Sequence, residues 1–182
     1  MPVLFFYLWE DDNVTPKEAD DFLSRHAPLP ADADLTSELI QGFNAVREHI
    51  IEQPNRAILA KYMTSFGDGS GMGVYQTSDD ALRAHDPEAI EFALRLGLES
   101  GRRPALYWCM HFCPQFPSEW QRAYAHKYLS DEDPGIRTWS AMTIERIYEA
   151  SLDFVAVKYR IGAEQDQDVM EVLRDILGRE AK

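Results

Sequence analysis

The sequence is poor in cysteine, in long apolar runs and in basic residues, and each shortage excludes a class of protein. Two cysteines are too few for a disulfide framework. The longest apolar run, residues 3–9 (VLFFYLW), is far too short to span a bilayer, and no basic segment precedes it as in a secretory signal. We therefore expect a cytoplasmic protein that does not bind membranes.

The shortage of basic residues leaves a strongly acidic chain. Lysine and arginine number 18 against 31 aspartates and glutamates, which gives a net charge of −13. Residues 1–54 hold 11 acidic and 3 basic residues and so carry −8 of that charge. Such a field repels nucleic acid and attracts basic proteins. Acidic residues also serve solubility alone, so the charge by itself identifies no partner.

Apolar residues, by contrast, are abundant enough to build a core. They make up 45% of the 182 residues, which is enough for one domain and short for two. We predict a single domain over residues 1–182. It would comprise acidic N-terminal helices (1–66), a glycine-rich connection (67–77), and helix pairs with a C-terminal helix (78–182).

Helix start signals recur along the chain and predict a mostly α fold. The clearest is Thr15-Pro16-Lys17-Glu18, in which Thr15 caps the helix, Pro16 occupies its first position and Glu18 completes a capping box. Asp-Pro pairs at residues 86–87 and 133–134 begin two more helices. Residues 3–9 and 152–161 fit either a strand or a helix, because short apolar runs do not separate the two.

The glycine loop, residues 67–73 (GDGSGMG), invites a phosphate or metal interpretation. It lacks the Lys-Ser/Thr ending of a P-loop and the G-x-G-x-x-G spacing. For calcium it offers Asp68, with Asp79 and Asp80 a turn later, whereas such a site takes about six or more oxygen ligands. We predict a flexible connection; the alternative is a short β-hairpin that pairs residues 62–66 with 74–77.

The stretch WCMHFC, residues 108–113, resembles a zinc site in composition but not in geometry. On a helix Cys109 and Cys113 share a face, while His111 points about 200° away from Cys109. The three side chains cannot converge on one ion, so they are predicted to pack in the core. No metal, cofactor or catalytic residue is predicted.

Residues 128–137 (YLSDEDPGIR), continuing through Ile144 and Ile147, resemble the inter-helix turn of a HEAT repeat. A fainter match covers residues 79–113, and Asp86 and Asp133 lie 47 residues apart, within the repeat period of about 40 to 47 residues. The resemblance implies stacked antiparallel helix pairs of the α-solenoid kind. It gives Asp131, Asp133 and Arg137 structural roles, with Arg137 reaching acidic turn groups of a neighbouring repeat.

HEAT-like stacks are chiefly protein-binding scaffolds, and small acidic bacterial proteins of this kind resemble immunity proteins that neutralise a toxin by binding it. The function predicted from this resemblance is inhibition of a cognate, basic toxin or effector domain. DNA glycosylases with a HEAT-like fold use a basic concave face, which this acidic chain is not expected to supply. The residues expected to contact the partner are Glu10, Asp11, Asp12, Asp20, Asp21, Asp68, Phe116 and Trp120.

Two other function classes stay open at this level. One is a small-molecule-binding protein or enzyme with an inter-helix pocket near His111, Tyr124 and Tyr128. The other is a scaffold subunit of a larger assembly.

Overall fold

The chain folds as α-helices joined by short turns. In the computed structural model, which describes residues 14–178, no strand occurs among those residues, and the prediction of a mostly α fold is confirmed. The described helices are α1 (Pro16–His26), α2 (Ser37–Glu52), α3 (Arg56–Met63), α4 (Asp79–Arg83), α5 (Pro87–Glu99), α6 (Arg103–Phe112), α7 (Arg122–Tyr128), α8 (Pro134–Ile147), α9 (Ala150–Ile161) and α10 (Gln167–Gly178). None of them is long and apolar enough to cross a membrane.

The helices group into two compact units, Met1–Trp108 and Cys109–Lys182. The single domain over residues 1–182 stays a prediction.

The first unit is built around an aromatic cluster. Phe43 stacks on Tyr62 with ring centroids 4.4 Å apart, and Phe66 meets the edge of Tyr75 at 5.0 Å. Trp108 closes the cluster against Tyr75 at 5.5 Å. Around it α3 packs on α5, α1 on α2 and α3, and α2 on α4. The cluster lies directly beneath the glycine loop.

The second unit has an aliphatic core. In it α7 packs on α8, and α10 packs on both α8 and α9. The buried residues at these contacts are Ala125, Leu129, Ala141, Ile144, Val157, Val169, Leu173 and Ile176. The C-terminal helix α10 thus contributes Val169, Leu173 and Ile176 at the spacing expected for an amphipathic helix.

The predicted helix starts are formed by the residues that signal them. The Glu18 N–H donates to the Thr15 hydroxyl (3.3 Å) and the Thr15 N–H donates to the Glu18 carboxylate (2.9 Å), so the capping box is complete. The Asp86 carboxylate accepts from the Ala89 N–H (2.8 Å), and that of Asp133 from the Gly135 N–H (2.8 Å). These caps satisfy N–H groups that have no partner within their own helices.

The alternative of a β-hairpin around the glycine loop is wrong. Tyr62 and Met63 end α3, and Tyr75–Ser78 is a 3₁₀ turn. The helical turns bring Tyr62 and Tyr75 into one aromatic cluster, in which both rings pack against Phe43. Ser78 consequently gives its hydroxyl to a buried hydrogen bond with the Tyr62 hydroxyl (2.8 Å) and does not cap α4.

The two ambiguous segments have different outcomes. Residues 152–161 belong to α9, and the helical alternative is the correct one there. Residues 3–9 lie outside the described residues, so that choice stays open.

Candidate functional site

The glycine loop, residues 67–73, is an anion cradle that the chain fills itself. The Ser70 N–H and hydroxyl donate to Oδ2 of Asp32 (2.9 and 3.0 Å), and the Gly71 N–H donates to Oδ1 (2.7 Å). Successive backbone N–H groups that converge in this way form the concave anion-binding feature known as a nest. The ligand of this nest is an aspartate that lies 38 residues before Ser70.

The loop needs its glycines because four of its residues adopt left-handed conformations. The φ angles are 105° at Gly69, 62° at Gly71, 54° at Met72 and 99° at Gly73. A Cβ at Gly69 would lie 2.5 Å from the Asp32 carboxyl carbon, and one at Gly71 would lie 2.4 Å from the Tyr75 ring. Met72 is the exception, a non-glycine residue in a conformation that favours glycine.

Several contacts hold the loop from beneath. The Trp108 indole donates to the Gly69 carbonyl (3.2 Å), and the Gly67 N–H donates to the Tyr75 hydroxyl (3.1 Å). The Arg102 guanidinium donates to the carbonyls of Phe66 (2.8 Å) and Thr64. The connection predicted to be flexible is therefore held both by the Asp32 carboxylate and by the aromatic residues Tyr75 and Trp108.

What the loop exposes is one apolar and one acidic side chain. Met72 is 65% exposed, and Asp68 is also exposed while its carbonyl accepts from the Asp32 N–H (3.1 Å). A strained backbone that surrounding bonds hold in place is a common feature of ligand contacts. The loop is thus a prearranged projection with two chemically distinct contact groups.

Replacing Asp32 with alanine is expected to loosen this loop and to lower the free energy of unfolding by about 1 to 3 kcal/mol, since it leaves charge-assisted hydrogen bonds unmade. The Ser70 N–H, and then that of Gly71, hold the pKa of Asp32 below its ordinary value. A lowered folded-state pKa means that the stabilisation is present above the ordinary carboxyl pKa and is lost as the pH falls below it. Urea unfolding at neutral and acidic pH measures both effects.

Asp34→Ala is the matched control, because Asp34 is an exposed residue of the same 3₁₀ turn. We expect it to change stability by less than about 0.5 kcal/mol. Equal losses in the two variants would contradict the role assigned to Asp32.

The acidic residues predicted to contact a partner are largely paired within the chain. On α1, Asp20 forms an ion pair with Lys61, and Asp21 forms one with Lys17. These pairs reduce the negative potential that α1 offers to a partner. Asp68 lies on the glycine loop and is exposed. Glu10, Asp11 and Asp12 lie outside the described residues.

The two predicted aromatic contacts lie in the second unit and are half-buried. The Trp120 ring meets the edge of Tyr124 at 5.9 Å, and the Phe116 carbonyl accepts from the side chain of the buried Gln121 (2.9 Å). Gln121 also closes a capping box with Ser118. The turn is therefore held by internal hydrogen bonds, and its aromatics are partly occupied by internal packing.

The residues of the alternative pocket are engaged in local contacts. The His111 ring meets Trp139 edge-on at 4.4 Å, and Lys127 lies 4.7 Å from the ring centroid of Tyr128. Burial raises the pKa of the Cys109 and Cys113 thiols, which keeps them protonated. Among residues 14–178, no three histidine, cysteine, aspartate or glutamate side chains are grouped to hold a metal ion.

A surface cleft of 330 Å³ lies in the first unit, but the residues that line it do not form a recognisable ligand site. The Arg56 guanidinium lies 4.1 Å from the Phe92 ring centroid, and Glu88, Glu91 and Arg95 complete the walls. Charges of both signs and an open surface position offer no convergent set of polar groups for a small ligand.

Two buried carboxylates in the second unit are the main features that sequence reasoning missed. Glu164 accepts from Arg137, Arg160 and two backbone N–H groups. Asp153 accepts from Arg122, from the Glu149 N–H (2.8 Å) and at 2.7 Å from His126 Nε2. The i,i+4 spacing of Arg160 and Glu164 is a sequence signal for one of these contacts. The other side-chain partners are more than 25 residues away and leave no local signal.

No protein-family model, curated protein or solved structure matches this chain. The function proposed below therefore depends on the chemistry and exposure of the residues described above.

Proposed function

We propose that this chain is a non-enzymatic protein-binding protein, most specifically a bacterial immunity protein that neutralises a cognate toxin in the cytoplasm by direct binding. The observation that carries the proposal is the glycine loop, residues 67–73. Its backbone is fastened to Asp32, while Met72 and Asp68 remain exposed.

The fastened loop suits binding because little conformational freedom is left to lose when a partner docks. Ordering a mobile segment costs free energy that otherwise strengthens the complex. Met72 adds an unbranched, polarisable side chain that adapts to an apolar recess in a partner. Met72 has a left-handed backbone conformation, and the Asp32 carboxylate holds the neighbouring Gly71 N–H in place.

Charge supports a basic partner. The net charge of −13 attracts a positively charged surface over long distances and raises the rate of encounter. Asp68 places one exposed carboxylate on the same loop as the exposed Met72. A basic cleft with an apolar recess, such as the active site of a nuclease-like toxin, is the complementary surface.

The second unit supports the HEAT-like part of the proposal. The Arg137 guanidinium donates to the carbonyls of Asp131 (2.9 Å) and Glu132 (3.0 Å), and it also pairs with Glu164, which follows α9. One arginine thus joins the turn before α8 to the turn before α10, as the contacts between neighbouring helix pairs require. We propose that α7–α8 and α9–α10 are two such pairs of an α-solenoid-like stack.

The direct test is co-expression with the product of the neighbouring gene, followed by affinity capture and a growth assay. A stable complex that relieves the neighbour's toxicity is the expected result. Absence of a complex, or undiminished toxicity, would overturn the proposed function.

Met72→Gly separates binding from folding at the proposed contact. Glycine adopts a φ of 54° without strain, so the fold is expected to be retained while the exposed side chain is lost. We expect the dissociation constant for the toxin to rise by about tenfold or more, which corresponds to about 1.4 kcal/mol. Calorimetric titration measures it, with thermal unfolding as the check on folding.

Gln41→Ala, at an exposed position of α2, is the control and should leave the affinity unchanged. If Met72→Gly binds as tightly as the wild type, the loop is only a connection between helices.

A further inference from the structure

The outward face of α9 carries a row of large apolar side chains. Leu152 is 52% exposed, and Val155 and Tyr159 are each 78% exposed. At about 100° per residue the three lie within an arc of about 60°. The opposite face of α9 is buried through Asp153 and Val157, so the row points away from the core of its own unit. An exposed apolar row of this kind is a mark of an interaction surface.

Charges of opposite sign flank one side of this row. Lys158 and Ser151 lie on the same side of α9, about 20° apart around the helix and about 10 Å apart along it. The Ser151 hydroxyl donates to the Glu149 carboxylate (2.6 Å), which brings that negative charge to the Ser151 end. The flank is therefore negative at the start of α9 and positive near its end.

We propose that α9 pairs with α9 of a second copy of this chain, antiparallel and across a two-fold axis near Val155. In an antiparallel two-fold pair, the same flank of each helix faces its counterpart in reversed direction. Lys158 of each copy then faces Glu149 of the other, and each Leu152 approaches the other copy's Tyr159. The surface is complementary to itself in both charge and apolar content.

The charges also favour a second copy over the basic partner of the proposed function. A basic protein would gain from Glu149 but would face Lys158 on the same flank, and like charges in contact are unfavourable. Lys158 is exposed, with its ammonium 5.5 Å from the Phe154 ring centroid. Only an occupant with the same alternation satisfies both ends of the flank.

The pairing is expected to be weak. Three apolar side chains per copy cover less than the roughly 800 Å² per partner of a standard stable interface. We expect monomer and dimer in exchange, with a dissociation constant in the micromolar range or above. Sedimentation velocity from low micromolar to submillimolar concentration detects such an equilibrium.

Charge reversal on the flank gives a test that does not depend on any other protein. Lys158→Glu and Glu149→Lys should each weaken dimerisation about tenfold, because each replaces two attractive pairs with two repulsive pairs. An equimolar mixture of the two variants should recover dimerisation, since both pairs are attractive in the mixed dimer. Recovery also excludes misfolding as the cause of the single losses.

Val155→Glu at the centre of the row should abolish dimerisation while leaving the helical circular dichroism unchanged. A wild-type chain that stays monomeric at every concentration overturns the proposal, as does a mixture that associates no better than its components. If Val155→Glu instead abolishes toxin binding by a monomeric chain, the face belongs to the toxin and self-pairing is wrong.

Discussion

Glu164→Gln is expected to lower the free energy of unfolding by about 3 to 5 kcal/mol, because it removes the negative member of a buried charge cluster. The Glu164 side chain is 1% exposed. It accepts from Arg137 Nε and Nη2 (3.0 and 2.9 Å) and from Arg160 Nη2 (2.7 Å). The N–H groups of Gln165 and Asp166 donate to Oε1 (2.9 Å each), the oxygen that also accepts from Arg137 Nη2. A neutral amide leaves both guanidinium groups without their counter-ion.

Denaturant unfolding at neutral pH measures this loss against a matched change. Glu171→Gln removes an exposed carboxylate from α10 and should alter stability by less than about 0.5 kcal/mol. Small domains have a free energy of unfolding of about 5 to 15 kcal/mol, so the Glu164 variant should retain only marginal stability. Equal stability of the two variants would show that Glu164 does not hold the turn.

The effect of Glu164→Gln should fade in acid. Burial opposes ionisation, but the Arg137 guanidinium, the Asp166 N–H and Arg160 outweigh it and lower the pKa of Glu164 to about 2. With an ordinary pKa of 4.5, the carboxylate contributes about 3 kcal/mol at neutral pH, and this contribution is lost as the pH falls from about 4.5 to about 2. The difference between wild type and variant should therefore shrink across that range.

Asp153→Asn is expected to lower the free energy of unfolding by about 3 kcal/mol or more, for the same reason at a second place. The Asp153 side chain is fully buried, and its carboxylate accepts hydrogen bonds from Arg122, the Glu149 N–H and His126. Burial opposes ionisation here too, yet Arg122 and then the Glu149 N–H hold the pKa of Asp153 below its ordinary value. An asparagine would leave the largely buried Arg122 without a compensating charge.

Asp175→Asn, on the exposed side of α10, is the control for this variant. Chemical unfolding monitored by circular dichroism reports both. A wild-type transition for Asp153→Asn would mean that Arg122 is adequately solvated without its carboxylate.

The helix starts of this protein are largely determined by residues close together in the sequence. The capping box at Thr15 and Glu18 and the Asp-Pro starts of α5 and α8 formed where predicted, because capping depends on residues within one turn of each other. The same locality explains the failures around the glycine loop. Residues 74–77 by themselves did not separate a strand from the 3₁₀ turn Tyr75–Ser78, whose Tyr75 ring packs against the distant Phe43.

The candidate site was visible only in part. Asp68 and the glycines drew attention to residues 67–73, but the anion that fills the cradle is Asp32, which no spacing rule connects to Ser70. The sequence likewise did not show which side chains of α9 are exposed. Residues 152–161 fit either a helix or a strand in the sequence, and only the packed helix shows that Val155 and Tyr159 face outward while Val157 is buried.

The sequence by itself determined the mostly α fold, the helix starts and the capping role of Asp133, because these depend on hydrogen bonds and dihedral preferences between near neighbours. The tertiary structure alone decided which carboxylates are buried and which side chains remain exposed. Asp32, Asp153 and Glu164 look like ordinary surface acids in the sequence, and each accepts from at least one donor in a segment far along the chain. Burial and ion pairing depend on which distant segments pack together, and a single sequence does not carry that information in its local patterns.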